Sequence, residues 1–195
     1  MKKVYHIEIG LKKLIDTRAN PTYHTAQVIA LVLFGFLLRV KSFNELSCML
    51  KENEFGKLFP RGTKLPKIDT IRDTLKVIDI SGIKEINNQI VKKARENKVF
   101  ENGTIDGYTV AAIDGTKFFG SNKKSCTECL KNNNHSFHSG VVMSTVGTGP
   151  KLAIDFEMYK AGKDSVSKNE GELTVAKRLI TSVVEKHKRL IDIVA

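Results

Sequence analysis

Thr109-Val-Ala-Ala-Ile-Asp-Gly-Thr116 is the stretch on which the reading of this chain turns. A β-branched and apolar run leads straight into an acid, a glycine and a threonine. The pattern predicts a buried strand over 109–113 that delivers Asp114 at its tip. Asp114 is then either a functional carboxylate or the first residue of a structural turn with Gly115 and Thr116. In either role it has to be exposed or paired, because burying a bare carboxylate is costly.

Working outward, Ser139–Val146 is rich in β-branched residues and is closed by Gly147-Thr-Gly-Pro150, which reads as strand and turn. Leu152–Tyr159 alternates: Leu152, Ile154, Phe156 and Met158 fall on one face, and Ala153, Asp155, Glu157 and Tyr159 on the other. From Glu170 to Arg189 the period changes. Leu173, Ala176, Leu179, Ile180, Val183 and Val184 form a helical stripe, with Glu170 and Glu172 in the first turn and Lys186, Lys188 and Arg189 in the last. Leu190-Ile-Asp-Ile-Val-Ala195 reads as a further strand. The order is strand, strand, strand, helix, strand.

The first hundred residues read as helical. Val28–Leu38 is an apolar run of 11 residues, predicting a helix from about Thr25 to Val40 that is buried on all sides. It is too short for a bilayer span of roughly 20 residues. Ser42-Phe-Asn-Glu45 is a capping box that opens a second helix. The segment 54–67, broken by Pro60, Gly62 and Pro66, reads as a loop. Asp69 is expected to cap a short helix through Ile71, Leu75 and Ile78, and a further helix follows Ser81-Gly82. The joint between the halves is expected at 101–107.

Formal charge is +11 and uneven. Residues 1–100 hold 19 Lys and Arg against 10 Asp and Glu, and residues 101–195 hold 13 against 11. A basic half points to a polyanionic partner, or to a solvated lysine-rich surface. The loop and short helix bearing Lys57, Arg61, Lys64, Lys67 and Arg72 suit either a helix-turn-helix-like DNA reader or an ordinary bundle with a basic rim. Met1-Lys-Lys is followed by no secretory pattern. An odd count of 3 cysteines does not make a disulfide framework, so a reducing cytoplasm is expected.

Cys126-Thr-Glu-Cys129 and His135-Ser-Phe-His138 form C-x2-C-x5-H-x2-H. Two thiolates and two imidazoles can hold a tetrahedral zinc ion. The other reading is a hairpin with packed thiols.

Ala112–Ser121, Cys126-x-x-Cys129-Leu130, Phe137-His138, Leu152-x-x-Asp-Phe-Glu157, Asn169-Glu-Gly-Glu-Leu173 and Leu190–Ala195 together resemble the catalytic domain of bacterial insertion-sequence transposases of the DDE class. Asp16-Thr-Arg18, Phe43-Asn-Glu-Leu46 and Asp69-Thr-Ile71 extend the similarity into the first half. The resemblance implies an α+β protein: a helical, DNA-binding region over 1–100, then the first half of a ribonuclease-H-like β-β-β-α-β core over 101–195. It implies DNA transposition, in which three carboxylates hold two Mg²⁺ ions for phosphodiester cleavage and strand transfer. Asp114 matches the first carboxylate. No residue matches the second aspartate or the glutamate. Asp192 fits a mid-strand acid, while Asp155 and Glu157 can approach Asp114 without occupying the family's catalytic positions. The resemblance therefore implies a C-terminally shortened, catalytically incomplete transposase. The alternative is a non-catalytic DNA-binding remnant that inhibits or titrates an intact transposase. An unrelated Mg²⁺ nuclease needs a complete acid cluster within the chain. The implied partners are the double-stranded DNA of the element's terminal repeats and either a second copy or an intact transposase. The implied location is the cytoplasm, at the nucleoid when DNA is bound, and no membrane is expected.

Overall fold

A computed structural model describes residues 2–162 and 170–195. Of the sequence pieces above, Asn169 lies outside the described residues. The chain is a mixed α+β protein of two compact units, Met1–Ile86 and Asn87–Ala195.

The first unit is helical: α1 (Lys2–Tyr5), α2 (Ile7–Lys12), α3 (Thr25–Leu37), α4 (Phe43–Lys51), α5 (Asn53–Gly56), α6 (Ile68–Val77) and the start of α7 (Ile80–Glu96). Val28 and Leu31 from α3, Leu46 from α4, Phe55 from α5 and Ile71 from α6 make its core. Each such side chain contributes about 1.5–3 kcal/mol on burial. Phe34 meets Phe59 edge to face at 5.4 Å. The capping box forms: Glu45 N–H donates to Ser42 Oγ at 3.1 Å, and the Glu45 carboxylate accepts from Lys41 N–H at 2.7 Å.

Three expectations for this unit are corrected. α3 is not buried on all sides, since Phe36 is 73 % exposed and Leu37 52 %. Asp69 does not cap α6: Lys67 stands at that position, and Asp69 lies inside the helix, bonded to Arg72. α7 starts at Ile80 and runs through Ser81-Gly82. The Asp79 carboxylate accepts from the backbone N–H and the hydroxyl of Ser81, which fixes that start.

The second unit contains β1 (Val110–Ser121), β2 (Leu130–Asn132), β3 (His135–Val146), β4 (Ala153–Met158), α8 (Glu172–Lys186) and β5 (Ile193–Val194). β3 pairs antiparallel with β1 on one side, and with β4 and β2 on the other. β5 lies parallel to β1 on its free edge, with Val110 opposite Ile193. The expected strand order is present, with the short β2 added.

Two details differ from the sequence reading. β1 does not stop at Ile113 but continues through Asp114, Gly115 and Thr116, which pair with Val142, Val141 and Gly140. The turn reading of Asp114-Gly-Thr is thereby overturned. In β4 the register slips between Met143 and Ser144, so Ile154 and Asp155 are both buried and the simple alternation fails. The Asn87 amide fills the slip, donating to Ile154 C=O at 2.7 Å.

α8 buries Val175, Leu179 and Val183, whereas Leu173 and Val184 are exposed. The buried stripe is thus rotated from the expected one. Glu170 lies before the helix, outside its first turn. No helix among the described residues is long and apolar enough to cross a membrane.

Candidate functional site

Period two along paired strands sorts the second unit into two faces. Ile113, Met143 and Asp155 form one row, and Gly115, Val141 and Glu157 the next. α8 meets these rows. Lys186 Nζ lies 3.0 Å from Asp155 Oδ2, and Arg178 Nε 3.3 Å from Glu157 Oε1. Asp114 falls between the two rows, in line with Val142 and Phe156, on the opposite face. Asp155 and Glu157 therefore do not approach Asp114. The strand alternation separates them, and both are engaged by cations of α8.

Asp114 is exposed, which settles its desolvation problem. Thr116 is exposed beside it, and Phe118 is 51 % exposed and packs edge-on against Phe156. Asp192 serves structure: its carboxylate accepts from Thr109 N–H at 2.8 Å and ties the start of β5 to β1. Among the described residues, no group of three metal-ligating side chains includes Asp114. Among the described residues, the acids around Asp114 do not make a two-metal Mg²⁺ site.

The α8 face holds an arrangement that the sequence did not signal. Gly115 lies under Glu172, and a Cβ there would sit 2.9 Å from Glu172 Oε1 and 3.4 Å from the Tyr159 hydroxyl. Burial, and then the charge of Glu172, push the Tyr159 hydroxyl pKa up. Nearby, Arg178 holds Glu170 with two nitrogens and donates to Met158 C=O at 2.8 Å. That pairing lowers the Glu170 pKa and raises that of Arg178.

Three of the four residues in the Cys/His pattern come together. Cys126 Sγ is 3.1 Å from Cys129 Sγ and 3.1 Å from His138 Nε2, and Cys129 Sγ is 3.3 Å from the same nitrogen. Cys126 N–H also donates to Cys129 Sγ at 3.2 Å. The hydrogen bond shared between the two sulfurs lowers the Cys129 pKa and raises that of Cys126.

His135 is not in the cluster. His135 and His138 lie three apart on β3, and residues three apart on a strand point to opposite faces. His135 stacks on Phe137, two positions along. Its Nε2 accepts from Lys117 Nζ at 2.8 Å, and its Nδ1–H donates to Asn122 Oδ1 at 2.6 Å. Period-two reasoning on His135-Ser-Phe-His138 already separates the two imidazoles, once the segment is read as strand throughout.

The basic residues Lys57, Arg61, Lys64, Lys67 and Arg72 are all exposed. The first four lie in or at the end of the 57–67 segment, and Arg72 is on α6. Arg72 pairs with Asp69 at 3.2 Å and lies over the Phe43 ring at 5.7 Å. The segment between α5 and α6 is longer than the three- or four-residue turn of a helix-turn-helix.

No family model matches this chain, and no curated protein or solved structure is significantly similar to it.

Proposed function

We propose that this chain is a transposase-type protein with a ribonuclease-H-like arrangement, and that its described residues bind DNA without cutting it. The observation that carries the reading is the setting of Asp114. It is an exposed acid on a strand flanked by antiparallel β3 and parallel β5, with α8 as the crossover on the other face. The sequence resemblance assigns this acid the part of the first catalytic carboxylate. The +11 formal charge supports a polyanionic partner.

The absence of cutting follows from coordination. Each metal of a two-metal site needs several oxygen ligands in a fixed geometry. Among the described residues, Asp114 has no such company. On this reading the chain occupies the ends of an element and competes with an intact transposase.

The test is fluorescence anisotropy on labelled duplex DNA, with a nicking assay in Mg²⁺ or Mn²⁺ alongside. Salt-sensitive binding without nicking is expected. Failure to bind duplex DNA at low salt sinks the reading. Nicking by the chain that Asp114→Asn abolishes refutes the non-cutting part.

A further inference from the structure

We propose that Cys126, Cys129 and His138 bind one divalent metal ion of the zinc class, and that His135 takes no part. The fourth coordination position is left to water or to an added donor. This site is independent of Asp114 and of the DNA-binding reading.

The geometry is close to what such an ion needs. With Zn–S near 2.3 Å and Zn–N near 2.0–2.1 Å, tetrahedral donors stand about 3.5–3.8 Å apart. Here the three separations are 3.1, 3.1 and 3.3 Å. A bound ion has to part them by about 0.2–0.7 Å, most between the two sulfurs. A disulfide needs sulfurs at about 2.05 Å, far closer than the pair stands. Thiolate and imidazole donors suit zinc and not Mg²⁺.

The surroundings are built to hold the donors. Cys126 N–H donates to Cys129 Sγ, an outer contact that orients a thiolate. Leu130, adjacent to Cys129, is 1 % exposed and pairs with Phe137, which places Cys129 alongside His138. Ser121 Oγ accepts from Lys123 N–H and Lys124 N–H and turns the chain toward Cys126. The ion would clip the 122–129 loop onto β3, on the face of the sheet that carries Asp114. Both thiols give up their protons to solvent as the metal enters, so affinity rises with pH.

The experiment uses the full chain, purified reduced and loaded with Zn²⁺ or Co²⁺. Expected are one ion per chain and a Co²⁺ spectrum with thiolate charge-transfer bands of two sulfurs, read on the unaltered protein. Cys126→Ser, Cys129→Ser and His138→Gln each lower affinity by at least the ~10–100-fold that an outer-shell loss costs. His135→Gln and Cys48→Ser leave it unchanged. Circular dichroism checks that each variant retains its fold. A reduced chain that takes up no stoichiometric ion overturns the proposal. So does a His135→Gln loss equal to that of His138→Gln.

Discussion

Arg178 grips Glu170 with both arms of its guanidinium, Nη1 to Oε1 at 2.7 Å and Nη2 to Oε2 at 3.1 Å. The same Glu170 carboxylate accepts from Lys160 N–H at 2.9 Å. One cation on α8 thus secures the chain on both sides of the 163–169 segment, through Glu170 and Met158 C=O. Lysine cannot reproduce the fork. Arg178→Lys should lower the urea midpoint of unfolding, and Arg178→Ala should cost about 2–3 kcal/mol. An unchanged midpoint in both variants would show the clamp to be idle.

Asp16 sets the acid limit of the first unit. Its Oδ2 accepts from Arg18 Nη2 at 2.8 Å and from Thr25 Oγ1 at 2.6 Å, and its side chain is 2 % exposed. The Arg18 bond, opposed by burial and aided by Thr25, holds the carboxyl far below the ordinary range. A depressed folded-state pKa stabilises fully above the unfolded value of ~3.9, and that contribution is lost progressively as pH falls from there toward the folded value. Urea titrations between about pH 6 and 3 should show stability falling with acid, and Asp16→Asn should flatten the curve. At neutral pH that variant should cost about 3 kcal/mol. Equal acid slopes in the two proteins would refute the assignment.

DNA binding should be read through salt. Log affinity should fall linearly with log salt concentration, with a slope near −0.9 per phosphate neutralised. Replacing Lys57, Arg61 and Lys64 together by alanine should make the slope shallower. Arg72→Ala should do little, because Asp69 and the Phe43 ring already engage that side chain. An unaltered slope in the triple variant places the contact surface elsewhere.

Gly147 stands at φ 126°, and a Cβ there would lie 2.1 Å from Gly103 C=O. Both strain and collision oppose any side chain. Gly147→Ala should destabilise the chain by about 2 kcal/mol or more, measured as a drop in melting temperature. Gly62→Ala is the control, with positive φ but open space, and should cost less.

The strands were legible because Ser139–Val146 is rich in β-branched residues and the sequence of Leu152–Tyr159 alternates. The register slip at Ile154 was not legible, because it depends on what β3 and Asn87 offer from outside the segment. The helix over 172–186 was readable, but its buried stripe was not. Leu173 and Val184 are as apolar as Val175 and Leu179. The pairing of Arg178 and Lys186 with Glu157 and Asp155 fixes which stripe meets the sheet. Of the four Cys/His residues named from the sequence, three come together in the fold. The separation of Asp114 from Asp155 and Glu157 needed the register. The place of Glu172 over Gly115 could not be read from the chain, since the two meet only through the crossover.

The hydrogen bond from Thr109 N–H to Asp192 spans 83 positions of chain, and the β1–β5 pairing beside it spans as many. Pairing of this kind is slow to nucleate, because a long loop must close before any contact repays it. The antiparallel β1–β3 ladder closes a much shorter loop. Folding should therefore begin on the β3 side of β1 and reach β5 last. Opening should retrace that order, so the amides of Ile193 and Ala195 should exchange with solvent before those of Val141 and Met143.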